Sequence, residues 1–160
     1  MREKILKHTE DRKVKHLKLG GFDIDYRRPY ELLHTYRDIF ENEIYRFTAV
    51  SKKPLIIDCG SNIGLSILYF KLVYPESKVI AFEPDAGNFE LLQKNVGSNR
   101  LNDVELHYAA VWTIDGMISF ESNASEASHI SQEGNGQKVK AISLNKILSG
   151  VASVDFLKID

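Results

Sequence analysis

Hydrophobic positions are spaced in two different ways along this chain, and the change falls near residue 50. Before it, Phe22, Ile24 and Tyr26 alternate with Asp23, Asp25 and Arg27, and "VKHLKL" lies across Gly20-Gly21 from them. Period-two alternation on both sides of a two-glycine turn predicts a β-hairpin. Pro29 then opens a run with Leu33, Tyr36, Phe40 and Ile44 at helical spacing, which predicts a helix to about Tyr45. After Pro54 the apolar runs become continuous: "LIID", "KVIAFE" and "VELHYAAVW". Unbroken runs of this kind are what strands look like when both faces are covered. Between them lie "GLSILYFKLVY", a helix stopped before Pro75, and a helix after Asp85 with Phe89, Leu92 and Val96 on one face.

Strand, helix, strand, helix, strand predicts an α/β fold with a parallel sheet. The alternation then stops. Asp115-Gly116 reads as a hairpin-type turn, and "MISFE" and "KVKAISL" as two antiparallel strands. Between those strands, Ser122 to Gln137 is rich in Ser, Asn, Gly and Glu and is expected to be mobile. A short helix over Leu144 to Leu148 leads to a fourth parallel strand, "VDFLKID". The expected order is 3-2-1-4, with about four parallel strands plus a hairpin in a Rossmann-like sheet. The last strand would then be an apolar edge open to self-association. The expected organisation is a hairpin and helix extension over 1–50 and a Rossmann-like domain over 51–160.

Composition narrows the classes. At 160 residues a single domain is expected. The formal net charge of -1 gives no global field for nucleic acid or anionic membrane. The first 18 residues are locally basic through Lys4, Lys7, Arg12, Lys13, Lys15 and Lys18, which reads as a solvated face. Cys59 is the one cysteine, so an intrachain disulfide and a Cys-based zinc site are both excluded, and a reducing cytoplasm fits. Its longest apolar run, Leu65 to Phe70, is far below the roughly 20 residues that span a bilayer, and no signal-peptide stretch opens the chain. The five histidines show no paired spacing, so no metal is expected; His107, Tyr108 and Trp112 read as packing residues.

The candidate chemistry lies in "LIIDCGSNIG", where a buried strand ends on a carboxylate and passes into glycines. In α/β sheets that place is the crevice at the carboxyl ends of the strands, where ligands bind. The spacing Asp58-x-Gly60-x-Asn62-x-Gly64 is not G-x-G-x-x-G, and no Lys-Ser/Thr follows, so neither a dinucleotide nor a phosphate-loop fingerprint is met. Glu83, in "AFEPD", ends the second strand about 20 residues further on, where an acid accepts hydrogen bonds from ribose hydroxyls. Together the two features indicate a nucleoside-bearing cofactor. An acid beside the turn suits a cationic cofactor better than a pyrophosphate, which argues against an NAD-binding domain.

"IIDCGSNIG", "AFEPD", the "AAVW" strand end, the Asp-Gly turn and "AISLNKILSGVASVDFLKID" together resemble the FkbM-type methyltransferases, class I enzymes that use S-adenosylmethionine. The resemblance covers roughly residues 40–160 and implies a class I methyltransferase sheet that is incomplete here, with 51–160 as its S-adenosylmethionine-binding domain without the acceptor-binding half. It implies that Asp58, Gly60, Ser61, Asn62 and Gly64 line the site for the methionine end of the cofactor, that Glu83 holds the ribose, and that Ala110 lies near the adenine. Many class I enzymes carry an acid near that last position, and this chain does not. Where the family often has Asp, this chain has Asn145. Asp160 closes the part of a longer family motif that is present, and it is the candidate general base. The implied activity is O-methylation of a sugar or natural-product hydroxyl. The alternative is an inactive fragment, or a cofactor-binding module completed by another chain.

Overall fold

The computed structural model describes residues 13–121, 129–130 and 137–160. Strands β1 (Lys15–Leu19) and β2 (Phe22–Tyr26) form the expected antiparallel hairpin around Gly20-Gly21. Helix α1 (Pro29–Tyr36) starts on a proline, whose missing N–H costs nothing at the first helical position. It does not continue regularly to Tyr45. Residues Arg37–Glu41 form a π turn in which Asn42 N–H donates to Arg37 O. Leu32 and Ile39 are core and Leu33 and Ile44 are exposed, while Tyr36 and Phe40 pack partly buried against the same cluster.

The central sheet is made of β3 (Leu55–Cys59), β4 (Lys78–Phe82), β5 (Val104–His107) and β10 (Phe156–Ile159), all parallel, in the order β10-β3-β4-β5. That is the expected 3-2-1-4 order. Helix α2 (Leu65–Val73) is buried over Leu65 to Lys71, and α3 (Ala86–Ser98) starts on Asp85, whose side chain accepts from Asn88 N–H. The pleat assigns the sheet's residues to two faces. Ile56, Val79 and Ala81 share one apolar cluster with α2, Leu92, Ile24, Leu32 and Ile39. Ile57, Cys59, Ile80 and Phe82 face the other way, against Ile147, Leu148 and Val151. Because Ile24 and Leu32 sit in the first cluster, the expected boundary near residue 50 does not divide the packing.

"VELHYAAVW" is not one strand. It divides into β5 and β6 (Ala110–Trp112), and β6 belongs to a second sheet with β9 (Gln137–Ser143), β7 (Gly116–Glu121) and β8 (His129–Ile130), in the order β6-β9-β7-β8. Strands β7 and β9 are antiparallel, as expected. However, β9 lies between β6 and β7, so Asp115-Gly116 is not a hairpin turn. Asp115 instead caps the segment beyond β9, its carboxylate accepting from Ser143 N–H at 2.7 Å and from Lys146 Nζ at 2.8 Å. Helix α4 (Leu144–Ser149) follows, and Ser143 caps it. The expectation of mobility for Ser122 to Gln137 lies almost wholly outside the described residues, as do the first 12 residues of the basic N-terminus.

Candidate functional site

The turn after β3 is shaped by the backbone. Gly60 and Gly64 have φ of +82° and +94°, and Asn62, between them, has φ +50°. Asn tolerates that left-handed region better than most residues, because its short side chain hydrogen-bonds locally. Gly60 and Ser61 N–H both donate to Phe82 O, at 2.9 and 3.0 Å, which fixes the turn to the end of β4.

Asp58 does not reach the cavity surface. It is fully buried, with Oδ2 accepting from Ser66 Oγ at 2.6 Å and Oδ1 facing Lys158 Nζ at 3.0 Å. Lys158 lies directly opposite in the β10–β3 register and is itself 5% exposed. Its ammonium also donates to Gly60 O at 2.8 Å and meets Asp160 Oδ2 at 2.5 Å. Burial pulls its pKa down, but the Asp58 carboxylate and the bond to Asp160 more than offset this, leaving it above the ordinary lysine value. One buried cation thus ties together the strand-end acid, the glycine turn and Asp160. Tyr45 completes the group: its hydroxyl is 3.3 Å from Asp160 Oδ2, and its pKa is pushed up to about 12, mainly by burial.

Glu83 is buried at the end of β4, with both oxygens engaged. Oε2 accepts from Asn62 N–H at 2.7 Å and Oε1 from Asp85 N–H at 2.8 Å. Burial raises its pKa to about 7, against the pull of these two bonds. The neighbouring Cys59 is pushed up to about 12, by burial and then by Asp58, so it is a neutral packing thiol.

A cavity of about 450 Å³ lies above this turn, within the size range of small-molecule sites. Gly60, Ser61, Asn62, Glu83, Lys158 and Asp160 line it. Asp58, Gly64 and Ala110 do not. Gly64 caps α2 and faces α3, where a Cβ would stand 2.8 Å from Leu92 Cδ1, so its lack of a side chain serves helix packing. Ala110 is buried in β6 against Phe120 and Val139. Among the described residues no group of three His, Cys, Asp or Glu side chains could hold a metal, and no helix is long and apolar enough to cross a membrane.

The facing wall comes from the N-terminal segment. Arg28 and Glu31 pair at 2.8 Å, and Glu31 Oε1 accepts from Asn62 Nδ2 at 3.2 Å. Neither residue, nor Lys158 or Tyr45, stands out in the sequence. A partial signal existed for Lys158: in "DFLKI" it shares strand parity with Phe156, so an inward lysine could be read from the alternation, though not its partner.

Residues 58–160 match the family described as the methyltransferase FkbM domain. The chain belongs to that family. Methyltransferase sdnD of Sordaria araneosa is 39% identical over 64 residues, which make up 40% of this chain and 25% of that protein. The 31-O-demethyl-FK506 methyltransferase FkbM of Streptomyces tacrolimicus is 35% identical over 84 residues, 51% of this chain and 32% of that one. The crystal structure of methyltransferase FkbM from Methylobacillus flagellatus KT has a similar fold, with a TM-score of 0.51 at 19% identity over 78% of this chain and 30% of that chain. The fold is therefore the class I methyltransferase α/β fold, and the chain spans about a quarter to a third of the length of these relatives. Arg28, Glu31 and Tyr45 lie outside the stretch matched to the family.

Proposed function

We propose that the cavity binds S-adenosylmethionine and that this part of the protein is the donor side of an O-methyltransferase acting on a sugar or natural-product hydroxyl. The observation that carries the reading is the placement of Glu83, beside the glycine turn on the adjacent parallel strand and at the wall of a cavity of the right size. The name of the Streptomyces tacrolimicus relative places the methyl on an oxygen, which supports a hydroxyl acceptor. The residues fit a cationic nucleoside cofactor: the acids Glu31, Asp38, Glu83 and Asp160 face the cations Arg27, Arg28 and Lys158 around the cavity, so it carries no surplus of positive charge for the pyrophosphate of NAD.

When bound, the cofactor supplies a methyl group activated on sulfur. The chain's own residues hold and orient. Glu83 would accept from the ribose hydroxyls, while Gly60, Ser61 and Asn62 would bring backbone close to the methionine end. Asp58 acts from beneath, holding Lys158 and through it the turn. Asp160, 53% exposed at the cavity wall, orients an acceptor hydroxyl and takes its proton. Buried, unpaired Cys59 is consistent with a reducing compartment such as the cytoplasm. A second copy or another chain could pair with β10, whose Leu157 and Ile159 are exposed at the sheet edge.

Glu83→Ala tests the reading. It should weaken binding of S-adenosylhomocysteine by about 1.5–3 kcal/mol, the scale of hydrogen bonds to a charged group. Calorimetry beside a thermal melt would decide between roles. Unchanged binding with a collapsed melting temperature would make Glu83 purely structural and remove the main support for the assignment.

A further inference from the structure

Resting on the reading of this cavity as an S-adenosylmethionine site, we infer that the Arg28–Glu31 pair of the N-terminal helix is the receptor for the zwitterionic amino-acid end of the cofactor. The inference starts from a residue that cannot do the task. Asp58, the strand-end acid expected there, is fully buried, and its oxygens are engaged by Ser66 and Lys158. The cofactor's ammonium therefore needs another carboxylate close to the turn.

The cavity offers four. Glu83 is the ribose partner in this reading, with two of its acceptor positions already taken by backbone N–H groups. Asp160 is held by Lys158 and Tyr45. Asp38 is engaged by His34 and Asn42. Glu31 remains, and its Oε1 is bonded to the side chain of Asn62, the central residue of the turn. Its carboxylate has about four lone-pair positions, two of which Asn62 and Arg28 use.

Arg28 supplies the opposite charge. Its bond to Glu31 at 2.8 Å occupies one donor of a five-donor fork, which leaves N–H groups for a ligand carboxylate. Both side chains are largely shielded, at 25% and 17% exposure, so their charges act at lower dielectric than free surface groups. A neutral pair of fixed charges matches a neutral zwitterion: ammonium on Glu31, carboxylate on Arg28. No charge is left uncompensated whether the ligand is present or not. The N-terminal segment, outside the family match, thereby becomes part of the binding site.

The test compares S-adenosylhomocysteine with 5′-methylthioadenosine, which keeps the nucleoside and thioether but lacks the amino-acid end. Calorimetry on the chain as it stands should show S-adenosylhomocysteine binding at least about tenfold more tightly. Glu31→Gln and Arg28→Met should each remove most of that preference and leave 5′-methylthioadenosine affinity within about twofold. Arg28→Lys should keep part of it. Variants that weaken both ligands equally, or that keep the full preference, overturn the inference. So does tight binding of both ligands without preference, which would leave the cofactor reading intact. Failure of the unaltered protein to bind either ligand overturns that reading and the inference with it.

Discussion

At the scale of single residues, the decisive feature is a buried cation paired with a buried anion. Removing one member strands the other in a low-dielectric interior, whereas removing both does not. Lys158→Met should therefore lower stability by about 3–5 kcal/mol, and adding Asp58→Leu should recover much of the loss. Denaturant unfolding of the two variants checks this, and equal losses in single and double variants would contradict it. Glu83 gives a pH signature. Its pKa of about 7 in the folded chain lies above the ordinary carboxyl value, so the folded state holds a proton that the unfolded chain releases sooner. The stability it contributes is full below about pH 4.5 and is lost as pH rises through about 7. The shift is worth up to about 3 kcal/mol at 1.36 kcal/mol per pKa unit. Glu83→Gln should flatten that part of the stability profile. Glu83 itself was legible in the sequence, because an acid at the end of a buried strand stands out. The ion pair was not, since it joins residues 100 positions apart through a strand register that a linear pattern does not show.

At the scale of elements, continuous apolar runs correctly marked β3 and β4, because burial on both faces writes itself into composition, whereas β5 is only partly buried and fills just the first part of its run. Two elements escaped. The π turn at Arg37–Glu41 interrupts the helix, which periodicity alone cannot register. "VELHYAAVW" hid a change of sheet between His107 and Ala110, because apolar content is the same on either side of it. The glycine pattern was read for ligand approach, yet one glycine has a packing reason. Gly64→Ala would put a Cβ at φ +94° and 2.8 Å from Leu92 Cδ1. Left-handed strain of about 1–3 kcal/mol plus the clash should lower the melting temperature clearly. Gly97→Ala, inside α3 with open space around it, should be neutral or stabilising. Parallel melts distinguish the two, and similar losses would contradict the packing role.

At the scale of the whole molecule, the N-terminal hairpin is joined to the sheet by Asn95 of α3 and Asn99 at its C-cap. Asn95, 1% exposed, accepts from Asp25 N–H at 2.7 Å and donates to Asp25 O at 3.0 Å and Ile63 O at 2.8 Å. Asn99 makes the matching pair with Asp23, at 3.0 and 2.8 Å. These bonds hold the hairpin, and with it Arg28 and Glu31, over the glycine turn. Asn95→Ala should cost about 1–3 kcal/mol for each buried group left unpaired, and hydrogen exchange should show the hairpin amides losing protection before those of β3 and β4. Uniform loss across both would contradict a specific coupling.

The central claim is that the crevice above the turn takes a cationic nucleoside cofactor and not a dinucleotide. The most direct measurement is calorimetric titration of the folded protein with S-adenosylmethionine, S-adenosylhomocysteine and NAD under one set of conditions. The expected result is saturable one-site binding of the first two, tighter than NAD by at least about tenfold. Equal affinity for all three, or no binding of any by a protein whose melt shows it folded, would contradict it.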